Sequence, residues 1–365
     1  MFLIVTRNFP PDIGGMQVLM GGLSESLVNH GPVKVFTYEY QNSNTYDSNS
    51  SINIERVKGI KLFKKYRKAN LINSFINMNH NIRALIADHW NSLELIKTEN
   101  FKKIKTFCLL HSKEINHEVG SSLNKRLIKS TNNADFIIAN SNFTKGLAIK
   151  VGIDPSKINI IFPGIPKPKD IENITKIKAE KIFQDSFPKI ITVSRLDKRK
   201  GHDKILMLIK NLKTKFPKIQ YVSIGSGKEE NNLLKLTKEL NIEKQVTFLK
   251  NIDYNLKTAL IAEANLFLMP NRIEKKSVEG FGISFIEAAS YGIGSIGGKD
   301  GGTSDAIEHD KTGLICDGND LNSIYDSVVS FFKDKNFVKY GKNAQKFSEK
   351  FYWDKVIKNY LKLIN

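Results

Sequence analysis

The chain has 365 residues, 41% hydrophobic and 25% charged, and 56 Lys and Arg against 37 Asp and Glu give it a formal net charge of +19. This is globular composition without a low-complexity tract; the length calls for two domains, and the charge suits nucleic acid, anionic lipid surfaces or phosphorylated ligands without choosing among them. Cys108 and Cys316 are too few for a disulfide framework or a cysteine metal site, so a reducing, cytoplasmic setting is expected, and no apolar run is long enough to span a bilayer.

The chain opens on "FLIVT", a short branched run that reads as a strand, then the loop "RNFPPDIGG" and the helical pattern "MQVLMGGLSESLVNHG". "MFLIVT" is too short for the apolar core of a signal peptide. "VKVFTYEY", "KTFCLLHS" and "ADFIIANS" read as further buried strands ending in polar residues, separated by helical patterns. A parallel sheet covered by helices accounts for that rhythm. After the turn-rich "FPGIPKPKD" the alternation begins again: "KIITVS", "IQYVSIG", "QVTFLK", "ANLFLMP" and "GIGSIGG" as strands, with "HDKILMLIKNLKTKF", "NNLLKLTKEL", "NLKTALIAEA" and "SFIEAASYG" as helices. The terminal "SEKFYWDKVIKNYLKLIN" is amphipathic, with Phe351, Trp353, Val356, Tyr360 and Leu363 at helical spacing.

Open α/β sheets bind ligands at the carboxyl ends of their strands, so the chemistry is expected just after these runs. Gly14 and Gly15 follow the first strand and open a helix, where backbone N–H groups can approach an anion; a plain tight turn explains them as well. "ITVSRLDKRKGHDKI" ends a strand at Ser194 and delivers Arg195, Lys198, Arg199 and Lys200 ahead of Gly201, a set suited to a diphosphate or to simple solvation. In "VEGFGISFIEAASYG", Gly280 and Gly282 keep Glu279 in a loop and start a helix near Ser284. Ser284 and Glu287 fit a capping box, which gives Glu287 a structural alternative. Beside Glu279, the amides of Phe281, Gly282 and Ile283 can hold phosphate while carboxylates accept from hydroxyls. A ligand that combines a diphosphate with many hydroxyls is a sugar nucleotide. Paired carboxylates also suggest a glycosidase, but a hydrolase needs no diphosphate loop.

Taken together, "FPPDIGGMQ", "SRLDKRKG", "VEGFGISFIEAASYG" with its two glutamates eight apart, and "GGTSDAIEHDKTGLI" resemble glycosyltransferase family 4, the retaining GT-B enzymes also called glycosyl transferases group 1. The resemblance touches nearly the whole chain. It implies two doubly wound Rossmann-like domains whose parallel sheets face a central cleft: an acceptor-binding domain over residues 1–165, completed by a C-terminal helix over 346–365, and a nucleotide-sugar-binding domain over 166–345. It implies a hexosyltransferase without metal or cofactor, moving mannose or glucose with retention to a glycan or lipid-linked acceptor. By the same resemblance Arg195 and Lys200 hold the diphosphate, Glu279 faces the donor sugar, Glu287 grips the ribose, and His111 stands near the sugar and the acceptor. Gly14, Gly15, Ser194, Gly225, Leu249, Lys250, Phe281, Gly282 and Ile283 complete the donor site, with the base read near Leu249–Asn251. The chain departs from the family's His-Gly at His111-Ser112, from its Pro-Asn-Gly at Pro163-Gly164-Ile165, and from its Pro-Glu at Ser304-Asp305.

"FLMPNRIEKKSVEGFGI" with "TRNFPPDIGGMQ" looks, within the family, most like the phosphatidylinositol mannoside type of mannosyltransferase, which favours GDP-mannose over UDP-sugars as donor. Lys61, Lys64, Lys65, Arg67 and Lys68, interleaved with Leu62, Phe63 and Tyr66, suit an anionic membrane surface, so a peripheral place on the cytoplasmic face is expected; a solvated helix face is the alternative. A nucleotide-sugar epimerase of the same architecture is the rival enzyme. A nucleic-acid-binding protein is the weaker rival, because no binding module is recognisable and no nucleic-acid partner is expected.

Overall fold

Seven short segments in the first half of the chain and six in the second become strands, most of them apolar runs that a sheet covered on both faces can bury. The computed structural model describes all residues except Ile13 and Asn42, and the side chains of Lys61 and Leu62 also lie outside the described set. The N-terminal sheet comprises β1 (Phe2–Val5), β2 (Val33–Tyr38), β3 (Asn53–Val57), β4 (Ala84–Ala87), β5 (Lys105–Leu110), β6 (Phe136–Ala139) and β7 (Ile158–Ile160), in the order β3-β2-β1-β4-β5-β6-β7. The second sheet comprises β8 (Lys189–Val193), β9 (Gln220–Ile224), β10 (Val246–Leu249), β11 (Leu266–Met269), β12 (Ser295–Gly298) and β13 (Gly313–Cys316), in the order β10-β9-β8-β11-β12-β13. Every pairing between these strands is parallel.

Strand side chains alternate between the faces, so β1 supplies Leu3 and Val5 to one core and Phe2 and Ile4 to the other. That is why "FLIV" shows no polar positions. The strands β3, β4, β7 and β13 are additional to those expected from the sequence. They are three to five residues long, and edge strand β3 carries Glu55 and Arg56, which pair with Lys34 at 2.8 Å and Asp47 at 2.7 Å. Charges satisfied by tertiary partners hide a strand from a pattern reading.

The chain divides into two units, Met1–Pro166 with Phe351–Asn365, and Lys167–Lys350. The returning segment therefore starts at Phe351 rather than 346, because the preceding helix, Asn336–Ser348, is tied to the second unit by Tyr340, stacked on Phe331 with ring centroids 5.2 Å apart. At the crossing, Ile165 N–H donates to the Phe351 carbonyl at 2.8 Å and accepts through its own carbonyl from Trp353 N–H at 3.0 Å. The helix Trp353–Ile364 then lays Val356, Ile357, Tyr360 and Ile364 against the first helix, Gly15–Val28, and the Phe2/Ile4 face. The Trp353 indole fills the space left by the missing side chains of Gly22 and Gly164, which explains one departure from the family pattern: after Pro163 the chain serves the returning helix.

Gly22→Ala and Gly164→Ala each force the indole aside, and overpacking of this kind costs about 1–3 kcal/mol. Both variants are expected to melt at lower temperature than wild type, while Gly146→Ala, inside the helix Asn142–Lys150 where a methyl meets open space, raises the melting temperature slightly.

Candidate active site

In each sheet the strand order reverses once, between β1 and β4 and between β8 and β11. Ligand crevices of doubly wound sheets form at such points. Ser194 follows β8, and its loop enters a short 3-10 turn, Lys198–Lys200, closed by Gly201 in the left-handed region. The turn directs Arg199 and Lys200 inward, where each is only 8% exposed. Both reach one oxygen of Glu279: Arg199 Nη1 donates to Oε2 at 2.6 Å and Lys200 Nζ at 2.5 Å. Oε1 accepts from neither. Burial pushes the Glu279 carboxyl up, but Lys200 and then Arg199 outweigh it and hold it at about 2. Two buried cations on one carboxylate leave one positive charge uncompensated.

Glu279 is followed by the turn that starts the helix Ile283–Ser290. Gly282, at φ 92°, is its N-cap and lies where a Cβ would meet the Phe285 ring. No side chain caps this helix and no acidic residue stands in its first turn; Phe285 N–H donates to the Gly282 carbonyl at 3.0 Å, and the first turn has no side-chain acceptor. The expected capping box is absent. Ser284 lies inside the helix, and Glu287 accepts from Lys257 Nζ at 3.3 Å, so its carboxylate sits on the helix side instead of reaching back to the cap. The loop "GGTSD" packs on the same turn, where Gly302 N–H donates to the Glu279 carbonyl at 2.9 Å.

The two basic residues expected to act as a pair are separated. Lys200 is buried on Glu279, whereas the Arg195 side chain is 68% exposed and pairs with Asp197 at 3.1 Å. Arg199 is the second cation on the carboxylate. Ser194 Oγ stands 2.9 Å from Nε2 of His202, a residue the sequence reading passed over. Thr192 must donate to the Leu268 carbonyl, so its Oγ1 accepts from Tyr221 at 3.1 Å; the Tyr221 oxygen then accepts from His202 Nδ1–H at 3.0 Å. The Ser194 hydroxyl also donates to the Arg195 carbonyl at 3.3 Å, so it is shared between that carbonyl and His202 Nε2. Burial, reinforced by Lys200, keeps His202 neutral by lowering it to about 4. Gly225, at φ 145°, lets β9 pass against the Ser194 carbonyl, where a side chain would collide. Leu249 ends β10, and Lys250 reaches Glu230 at 2.7 Å.

In the first unit Gly14 caps the helix Gly15–Val28, and a methyl at Gly15 would meet open space. His111 Nε2–H donates to the Asp88 carbonyl at 3.0 Å, and its backbone N–H is held by Glu114. Ser112 replaces the family's glycine at φ 91°, a backbone that suits glycine, with its hydroxyl buried and unpartnered. Asp88 and His89, at the end of β4, were also missed. The signal available for them was "ALIADH", a four-residue apolar run ending in a carboxylate.

Two family models match the chain: Glycosyltransferase Family 4 over residues 13–167 and Glycosyl transferases group 1 over residues 173–350. The chain belongs to glycosyltransferase family 4. Similar sequences include the GDP-mannose-dependent alpha-(1-6)-phosphatidylinositol monomannoside mannosyltransferase of Mycobacterium tuberculosis, 24% identical with 92% of this chain and 89% of the relative covered. The monoacylated-substrate mannosyltransferase of Corynebacterium glutamicum is 25% identical, over 91% and 88%. Among solved structures, Anabaena HepE in complex with UDP superposes with a TM-score of 0.81 at 16% identity over 99% of both chains. Sucrose-phosphate synthase from Thermosynechococcus elongatus gives 0.80 at 18% identity over 99% and 97%. The fold is GT-B, and this glycosyltransferase is a hexosyltransferase that takes its sugar from a nucleotide sugar. Both family models are glycosyltransferase models, which favours the transferase over the epimerase reading.

Glu279→Gln removes the one negative charge between two buried cations. A carboxyl held at about 2 against an ordinary 4.5 contributes stability that is present above pH 4.5 and is lost as the pH falls toward 2. Breaking such a buried pair costs about 3–5 kcal/mol at neutral pH. Urea denaturation should show Glu279→Gln well below wild type at pH 7, with the difference shrinking near pH 3.

Proposed function

We propose that this glycosyltransferase moves mannose from GDP-mannose, with retention at the anomeric carbon and without a metal ion, to a glycan or lipid-linked acceptor. The observation that carries the reading is the uncompensated charge of Arg199 and Lys200 on Glu279 beside an uncapped helix N-terminus. A departing nucleoside diphosphate brings the negative charge that this arrangement lacks, and preorganised charge aimed at a leaving group is the usual largest contribution to such catalysis. Lys200 and the Ile283–Ser290 N-terminus meet the diphosphate, and Arg195, exposed beside them in the loop, folds onto it. Glu279 Oε1 and Glu287 accept from sugar and ribose hydroxyls, His111 faces the acceptor side, and same-face attack assisted by the leaving phosphate accounts for retention. The mannosyl donor rests on the relatives, which are named as GDP-mannose-dependent enzymes.

A ligand that binds only the folded chain raises its melting temperature. GDP-mannose is expected to raise it more than UDP-glucose does, and to give an α-linked product by NMR. A preference for UDP-glucose, or an inverted product, would sink the donor or the retention claim. Lys200→Met should lower kcat by at least about a hundredfold, the scale of losing one charge-stabilising donor.

The acceptor side adds peripheral association with an anionic membrane surface. Among the described residues no helix is long and apolar enough to cross a membrane. Of the basic stretch, Lys65 turns inward to Glu94 and Lys68 is buried, while Ile60, Phe63 and Tyr66 are 60–74% exposed beside Lys64 and Arg67. Lys61 has its side chain outside the described residues. Apolar tips among cations suit a headgroup layer. Phe63→Ser with Tyr66→Ser should reduce co-sedimentation with phosphatidylglycerol vesicles, and equal sedimentation of both proteins would discard the membrane face.

A further inference from the structure

Glu287 stands four residues past the start of the helix Ile283–Ser290, and its partner Lys257 belongs to the helix Tyr254–Glu263. The start of that second helix is fixed by Asp253, whose carboxylate accepts from Leu256 N–H at 2.8 Å. Three residues apart on it, Tyr254 and Lys257 share a face, and the ammonium lies 4.9 Å from the centroid of the Tyr254 ring. The Glu287 and Lys257 side chains are largely withdrawn from solvent, 16% and 19% exposed, whereas Tyr254 is exposed. Burial, and after it the Glu287 charge, push the Tyr254 hydroxyl above its ordinary range, so a ring, an ammonium and a carboxylate stand together.

The ion pair is loose and one-sided. Lys257 Nζ donates to Glu287 Oε1 at 3.3 Å, longer than the about 2.7–2.9 Å of a strong ammonium–carboxylate bond. Oε2 accepts from none of the described residues. A pair of this length adds little to stability, and a withdrawn carboxylate with one oxygen unfilled is undersatisfied. What the pair does is restrict the carboxylate. A glutamate loses rotamer freedom when it meets a ligand, and a neighbour that has already immobilised it removes that cost from binding. Lys257 is itself confined between the Tyr254 ring and the carboxylate, so it can serve as such a neighbour.

We propose that Lys257 is a positioning residue for the nucleotide's ribose: it holds Glu287 through Oε1 and leaves Oε2 as the acceptor for the vicinal hydroxyls. Two neighbouring hydroxyls supply the donors that the carboxylate lacks, and hydrogen bonds to a charged acceptor are the stronger kind. The inference deepens the proposed function and rests on its contact between Glu287 and the ribose. Lys257 touches no part of the nucleotide in this account; it acts through the carboxylate alone.

Isothermal titration of the full chain with GDP and with 2′,3′-dideoxy-GDP isolates the ribose hydroxyls; the corresponding UDP pair is used if UDP binds more tightly. Wild type, Lys257→Met, Lys257→Gln, Glu287→Gln and the double variant Lys257→Met with Glu287→Gln are compared, with melting curves to verify that each is folded. The readout is the ratio of the two affinities, because loss of a countercharge or of fold weakens both nucleotides alike. Wild type should favour the ribose form by about tenfold or more, the scale of hydrogen bonds to a charged group. Glu287→Gln should lose most of that preference, and each Lys257 variant should cut it to about a third or less. The double variant should match Glu287→Gln alone, since residues that act as one unit do not add. A full wild-type ratio in the Lys257 variants, or a further fall in the double variant, overturns the positioning role. The two readings fail differently: wild type that binds both forms alike, or neither, sinks the ribose contact of Glu287 and this inference with it, whereas a preference abolished by Glu287→Gln but untouched at Lys257 sinks this inference alone.

Discussion

The convergence of Arg199 and Lys200 on one oxygen of Glu279 is the constraint around which the strand ends of the second unit are organised. Two buried cations and a buried carboxylate are unstable in any other arrangement, because each would otherwise be stranded in a poorly solvating interior. Holding them there requires the tight turn before Gly201, the Gly282 cap, and the diglycine loop packed on the Glu279 carbonyl. The charge left over is positive, and it lies near the start of the helix Ile283–Ser290, which no side chain caps.

Buried charge recurs at the strand ends of the first unit with different residues. At the β1/β4 switch point Asp88 is saturated by neutral donors and one backbone amide, so it neutralises its cations only at a distance. In both units the parallel sheet concentrates polar groups at strand ends where the order reverses, because the faces are fully occupied by core. His202 and Asp88 are both buried and hydrogen-bonded, and each touches a residue at a strand end, Ser194 or His111.

Long apolar runs such as "KIITVS" and "ANLFLMP", and the joint motifs ending in "VEGFGISFIEAASYG", were legible because burial and glycine placement are local demands. Four strands were not legible: β3, β7 and β13 lie at sheet edges, β3 with charged positions and β7 with only three residues, and β4 is a short run followed directly by Asp88. The capping box was a plausible local reading that tertiary structure overruled: Lys257, thirty positions before Glu287, offers its carboxylate a charged partner. The basic run Lys61–Lys68 reads as one surface patch in sequence, yet a helical period sends Lys65 and Lys68 inward and Phe63 and Tyr66 outward.

By itself the sequence determined two parallel α/β units, the order of the motifs and the residue types available to a diphosphate and to hydroxyls. These follow from periodicity, turn chemistry and charge, which act over a few residues. Only the tertiary structure decided that Arg199, not Arg195, shares Glu279 with Lys200, that His202 contacts Ser194, and that Lys68 is buried over the Tyr38 ring. Those choices depend on which strand ends become neighbours and on where low dielectric makes a charge need a partner, and neither is written in any single stretch of chain.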